Sequence, residues 1–301
     1  RQLAFLAPRD GVMNVWVAPI DDFDAAKPVT DEKVRPIPGF FWSPDSEQIL
    51  YVQDKGGDEN YLLYGVDLDT MKTRTYTDFE NVRVTFVGVS PQVESEILIG
   101  LNNRDPRWHD VHRLNLDTGD LELVLQNDGY QNFVADRALK LRLAVKPMPD
   151  GGYVVERING DGSLELLTTI PSEDALTTSP VAIPANADYA YMLDSRQRNL
   201  GALVKIDLAS GQTELVAAGS QADVGGVLTD PVTGEVQAYS EDYLQARWKP
   251  IGDALADDIA FLDDEARGAQ RFLYRAVMGR GGRFVTPVPE YVAAPATDGP
   301  G

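Results

Sequence analysis

The 301-residue sequence contains no cysteine. Disulfides, zinc–thiolate sites and cysteine nucleophiles are therefore excluded together. A chain this long buries a core without covalent staples, so the absence does not separate cytoplasm from periplasm. Histidine is nearly as scarce, with His109 and His112 the two present. They stand three apart in strand-like sequence, which turns them to opposite faces of a sheet, so no metal is expected on them. A histidine-dependent triad within this chain has correspondingly little to draw on. No apolar run approaches the roughly 18 residues that a membrane-spanning helix needs. The opening Arg1-Gln2-Leu3-Ala4-Phe5-Leu6 lacks the apolar segment and cleavage site of a signal peptide and begins inside a strand-like run, as a fragment of a longer chain would. Positive charge is short as well, 27 Lys and Arg against 47 Asp and Glu, for a net charge of −20. Such a field repels phosphate backbones and anionic lipid, so neither nucleic acid nor membrane is expected as a partner. Beyond solubility, its functional use would be attraction of cationic peptide ends. No glycine-rich phosphate loop follows a strand and opens a helix, and no cofactor is expected.

What the chain does have is a repeat. Leu63-Tyr64-Gly65-Val66-Asp67-Leu68-Asp69-Thr70 returns as Val111-His112-Arg113-Leu114-Asn115-Leu116-Asp117-Thr118-Gly119 and as Leu203-Val204-Lys205-Ile206-Asp207-Leu208-Ala209-Ser210-Gly211. Weaker copies are Val15-Trp16-Val17-Ala18-Pro19-Ile20-Asp21 and Val154-Val155-Glu156-Arg157-Ile158-Asn159-Gly160. Aligned on Pro19, Asp67, Asn115, Asn159 and Asp207, the copies step by about 48, 48, 44 and 48 residues, the scale of a propeller blade. Each reads as two strands joined by a tight turn, followed by a short alternating strand such as Leu121–Leu125. Inner strands precede Ser43-Pro44 and Ser90-Pro91, where proline suits a turn and not a central ladder. The expected fold is an all-β propeller of about six to seven four-stranded blades, its ring complete or incomplete. A sixth, less regular blade is placed near Val227–Tyr243, with its hairpin at Thr233-Gly234. The propeller is expected over residues 1–252 and a short acidic helix over 253–266, with Asp253 as N-cap and Leu255, Ile259 and Leu262 on its apolar face. Residues 267–301 read as an irregular tail, a linker or an incomplete last blade.

Trp42-Ser43-Pro44-Asp45-Ser46, the stretch Gln53-Asp54-Lys55-Gly56-Gly57-Asp58-Glu59-Asn60, and Leu101-Asn102-Asn103-Arg104-Asp105-Pro106-Arg107-Trp108-His109-Asp110 together resemble the propeller of bacterial prolyl-oligopeptidase-family (S9) serine peptidases, in the acylaminoacyl-peptidase and dipeptidyl-aminopeptidase-like branch. The resemblance implies a lid over an α/β-hydrolase domain, admitting short peptides to a Ser-His-Asp triad. The hydrolase itself is not in this sequence. No serine has the Gly-x-Ser-x-Gly flanks of a nucleophile elbow, and Ser163 sits between Asp161-Gly162 and Leu164-Glu165. The βαβ alternation of a hydrolase sheet is also missing. No catalytic residue is therefore carried over, and the expected partners are a hydrolase domain and short peptides.

Five residues stand out as a candidate substrate site or rim: Asp58, Glu59, Arg104, Arg107 and Trp108. Asp58 and Glu59 lie in an acidic, glycine-rich loop that suits a peptide amino terminus, or merely a solvated hairpin; its spacing does not fit a calcium loop. Arg104, Arg107 and Trp108 suit an ion-pair lock between blades or a ligand rim at the channel. Trp16, Trp42 and Trp248 are read as core between blades. Two other functional classes stay open: a stand-alone propeller for binding or interaction, and an enzyme using channel carboxylates on glycans.

Overall fold

The computed structural model describes residues 1–265 and two short paired strands, β23 (Val277–Met278) and β24 (Phe284–Val285). The expectation for residues 267–301 otherwise lies outside the described residues. Six antiparallel meanders of blade size follow one another in the chain. The first holds β1 (Gln2–Arg9), β2 (Val12–Pro19) and β3 (Lys27–Pro28); the second holds β4 (Phe40–Trp42), β5 (Gln48–Gln53), β6 (Leu62–Asp67) and β7 (Thr73–Thr75). The third is β8 (Val84–Gly88), β9 (Glu96–Asp105), β10 (Trp108–Asn115) and β11 (Leu121–Leu125); the fourth is β12 (Asn132–Ala135), β13 (Leu141–Pro147), β14 (Tyr153–Ile158) and β15 (Leu164–Ile170). The fifth is β16 (Ser179–Ala182), β17 (Tyr189–Asp194), β18 (Ala202–Asp207) and β19 (Thr213–Ala218); the sixth is β20 (Val224–Thr229), β21 (Val236–Asp242) and β22 (Ala246–Pro250).

The expected range of six to seven blades therefore settles at six among the described residues, and the first and sixth have three strands rather than four. Pro19 ends β2 as Asp67 ends β6, so β1 and β2 hold the second and third positions of their blade. The sixth blade extends on both sides of the expected Val227–Tyr243, and Thr233-Gly234 joins its first two strands.

The repeat has a local cause. Asp67 Oδ1 accepts from the backbone N–H groups of Asp69 (3.1 Å) and Thr70 (2.6 Å). Asn115 Oδ1 does the same for Asp117 (3.0 Å) and Thr118 (2.9 Å), and Asp207 Oδ1 for Ala209 (3.1 Å) and Ser210 (2.7 Å). Each side chain thus closes the turn between third and fourth strands as an Asx turn. The residue that reverses the chain is left-handed, at φ 80° in Gly119 and 70° in Gly211; Met71 takes the same place at 56°.

Each blade buries its faces against its neighbours. Phe40, Trp42 and Ile49 pack on Ala4, Val15 and Val17 between the first and second blades, and Leu50 and Leu63 pack on Ile97 and Ile99 between the second and third. The series continues with Leu98 and Val111 on Phe133 and Ala144, then Val155 and Ile170 on Met192 and Val204, then Tyr191 and Leu203 on Val224 and Val236. The far side of the sixth blade is covered by α1 (Ala256–Glu265) and the residue before it, through Ile259 and Leu255 against Ala238, with Trp248 packed beside them. The helix begins later than expected, and Leu262 is 38% exposed rather than buried, because the contact ends at Ile259. Trp42 is buried at 1% exposure, and no described helix is long and apolar enough to cross a membrane.

The meander order gives the ring two unlike faces. Tight turns between first and second and between third and fourth strands gather on one, called here the turn face. Hairpins between second and third strands and the blade-to-blade crossings gather on the other, the loop face.

Candidate functional site

All five candidate residues fall on the loop face. Asp58 and Glu59 belong to the β5–β6 loop of the second blade, and Arg104, Arg107 and Trp108 to the β9–β10 hairpin of the third. The two groups stay separate: among the described residues no hydrogen bond or ion pair joins them. Asp58 instead folds its own loop, its Oδ1 accepting from Lys55 N (3.2 Å) and Asn60 N (3.0 Å) and its Oδ2 from Asn60 Nδ2 (3.2 Å). These bonds, chiefly that from Asn60 N–H, hold its carboxyl below the ordinary range. Glu59 is left-handed at φ 60°, and its N–H donates to Asp54, which is in turn paired with Arg35 at 3.0 Å.

Arg104 is an anchor between blades. Its guanidinium grips Asp110 of β10 with two bonds (Nε 2.7 Å, Nη2 2.8 Å) and reaches the carbonyl of Asn127 (2.7 Å) on the crossing to the fourth blade. Asp110 also accepts from Asn127 N–H (2.7 Å) and is 2% exposed. Burial pushes its carboxyl up, but Arg104 and the Asn127 amide outweigh burial and hold it below the ordinary value. Replacing Asp110 by alanine leaves the buried Asn127 N–H without an acceptor and strips Arg104 of its two-bond partner. We expect a loss of about 3 kcal/mol in urea unfolding, with the crossing at Asn127 losing hydrogen-exchange protection. A change under about 1 kcal/mol would count against the anchor. The sign with pH follows: the depressed carboxyl contributes stability above its unfolded value, and that contribution is lost as pH falls through the folded one.

Arg107 turns outward and is clamped by its neighbour Asp105 (Nε 3.0 Å, Nη2 2.8 Å), whose carboxyl is pulled down to about 2 by those bonds. Arg107 and Trp108 line a pocket of about 370 Å³ between the third and fourth blades. Its walls include Phe86, Tyr130 and Phe133, with Asn132 and His109 adding polar edges. Phe86 is 41% exposed and stands edge-on to Phe41 at 4.9 Å. The Tyr130 hydroxyl donates to Glu156 (2.7 Å), and burial, reinforced by that carboxylate, raises it to about 12. The buried Nε2 of His109 has no hydrogen-bond partner, and burial lowers the ring's affinity for a proton. Aromatic walls, a guanidinium and side-chain amides at one mouth suit a peptide segment with an apolar or aromatic side chain. Arg107 and Trp108 were legible in sequence. Phe86, Tyr130 and Phe133 were not, because they come from another strand and another blade, although the polar-aromatic run Asn127-Asp128-Gly129-Tyr130 was a signal for that wall.

The fold and the site define the class: an all-β propeller with an aromatic and cationic pocket on its loop face. No protein-family model matches the sequence. The chain is 42% identical over 264 residues to dipeptidyl aminopeptidase BIII of Pseudoxanthomonas mexicana, a match that takes in 87% of this chain and 38% of that protein. Among solved structures it superposes on one of two prolyl endopeptidases with a TM-score of 0.55 at 13% identity, covering 82% of this chain and 41% of that one. An oligogalacturonate lyase in complex with manganese gives 0.52 at 12% identity, covering 84% and 68%. Identities this low show the shared propeller and nothing of its use. The sequence match carries the family: this chain is a β-propeller segment of the prolyl-oligopeptidase (S9) peptidases, and it spans well under half the length of the dipeptidyl aminopeptidase it matches.

Proposed function

We propose that the chain is the non-catalytic propeller of a serine oligopeptidase or aminopeptidase, a lid and scaffold that admits short peptides to a hydrolase domain lying outside this sequence. The observation that carries the reading is the 42% identity to a dipeptidyl aminopeptidase over 87% of this chain and 38% of that protein, on a chain whose described residues form a six-blade propeller. Three features support it. The sequence holds no nucleophile elbow and two histidines. The net charge of −20 favours the cationic amino ends of peptides over anionic macromolecules. The loop-face pocket, with Arg107 and Trp108 at its mouth, has the size and chemistry for one or two peptide residues.

The test is direct binding. Fluorescent peptides of about five residues should bind the chain, and a folded protein carrying the same sequence in a buried strand should not. Dipeptidyl chromogenic substrates should not be turned over by the chain alone. Trp108→Ala should weaken peptide binding roughly tenfold, as removal of a stacking ring does. Turnover by the purified chain, or absence of any peptide binding, would remove this reading.

A further inference from the structure

The far end of the channel holds a cation that the loop-face pocket does not explain. Arg137 lies in the tight turn between β12 and β13, on the turn face. Its side chain crosses the axis, Nη1 donating to the carbonyl of Val89 in the third blade (3.3 Å) and Nη2 to Thr229 Oγ1 in the sixth (3.0 Å). Gln92 makes a parallel crossing from the third blade to the carbonyl of Val232 in the sixth (2.6 Å). The turn-face end is thereby bridged, and the guanidinium lines a cavity of about 240 Å³ bounded by inner strands of four blades, with Val87, Val134, Val181 and Ile183 among its walls.

Both partners of Arg137 are neutral, and among the described residues no carboxylate lies within ion-pairing distance of it. The acids of the adjoining turns are engaged elsewhere. Asp136 takes Arg142 at 2.9 Å together with the N–H groups of Ala138 and Lys140. Asp230 takes the N–H groups of Val232 and Thr233 and the Gln237 amide, and reaches Arg137 through its field. Burial works against the charge on Arg137, and that cost is relieved by an anion entering the cavity. Val walls with one guanidinium at the end fit a carboxylate at the tip of an otherwise apolar chain.

We propose that Arg137 receives the free C-terminal carboxylate of a peptide that has entered from the loop face. The site rests on the peptide reading above but lies at the opposite end of the channel from Arg107 and Trp108. The inner strand β8 has five residues, so the channel is about 16 Å deep, the span of about five extended peptide residues. Arg137 thus acts as a length gauge that rewards a terminal carboxylate at that depth.

The experiment compares an apolar pentapeptide as the free acid and as the C-terminal amide, by fluorescence anisotropy on the chain. The acid should bind about tenfold more tightly, from one charge-assisted contact. Arg137→Gln should abolish that preference, leaving the amide's affinity unchanged, and Arg137→Lys should retain part of it. Circular dichroism checks that both variants fold; the acid–amide comparison in the unaltered chain stands even where they do not. Equal affinity for acid and amide, or a preference that survives Arg137→Gln, overturns the carboxylate site and leaves the peptide reading intact. Failure of both peptides to bind removes the two together.

Discussion

Replacing Glu241 by alanine is expected to cost about 3–5 kcal/mol, among the largest losses available outside the apolar core. Glu241, the last residue but one of β21, is 5% exposed, and its carboxylate is a hub. Lys249 of β22 donates to it, as do the successive backbone N–H groups of Ser220 (2.6 Å), Gln221 and Ala222 (3.0 Å) on the crossing from the fifth blade. Three consecutive amides aimed at one oxygen form an anion nest that the protein fills from within. Alanine leaves them without an acceptor, beside a lysine that has lost its partner. Glutamine keeps the shape and one acceptor oxygen but turns an amide N–H₂ toward donors, so roughly half the loss is expected. Lysine's own removal should cost less, since Lys249 is 36% exposed and water replaces much of the bond. The lysine and the amides hold the Glu241 carboxyl far below the ordinary carboxylate range. Its contribution is therefore complete above the unfolded value and disappears as pH falls through the folded one. Urea unfolding of Glu241→Ala and Glu241→Gln measures the order; equal stabilities for the two variants and the parent would contradict the hub.

The second large effect is at Trp42, where alanine should cost about 3–5 kcal/mol and phenylalanine much less. The indole is 1% exposed and packs among Phe40, Ile49 and Val15 at the joint between the first and second blades. No neighbouring shell can collapse into the space, because residues from two sheets frame it. The indole Nε1–H is buried without an acceptor. Phenylalanine removes that unsatisfied donor while retaining most of the ring, so its loss of volume is partly offset. A thermal unfolding series in which Trp42→Phe is as damaging as Trp42→Ala would mean that the indole N–H is paired in solution.

The parts of the fold that were legible in the sequence are those made by neighbours in the chain. Asp67, Asn115 and Asp207 recur because each caps its own turn within three residues, and Gly119 and Gly211 mark the reversals. Met71 and Pro19 blur the same signal in the first two blades without destroying it. The number of blades was less clear, because the sixth has no fourth strand among the described residues and so no closing Asx turn to count; its Asp230 caps the turn between the first and second instead. The candidate site was half visible. Arg104 and Asp110 are six residues apart across a hairpin, a spacing that invites pairing, yet in the sequence Asp110 stands only as the last residue of the family-like stretch from Leu101. Arg137 and Thr229 are 92 residues apart and meet only because the ring brings opposite turns to one axis. No local pattern in the sequence encodes that meeting.

The outer strands carry a quieter regularity. Val111 faces Leu125 while His112 faces Leu123; Val155 faces Thr168 while Glu156 faces Leu166; Leu203 faces Ala217 while Val204 faces Leu215. One extra residue, Val124, Leu167 or Val216, is thus inserted at the same place in β11, β15 and β19. Each insertion bends an unpaired edge out of line and interrupts the row of amides and carbonyls that a foreign strand would need. Leu123, Leu166 and Leu215 stand more than half exposed along these edges. Along these three edges the kinks let greasy strands coexist with a crowded solution, since two such molecules meeting there find no continuous ladder on which to zip together into fibrils.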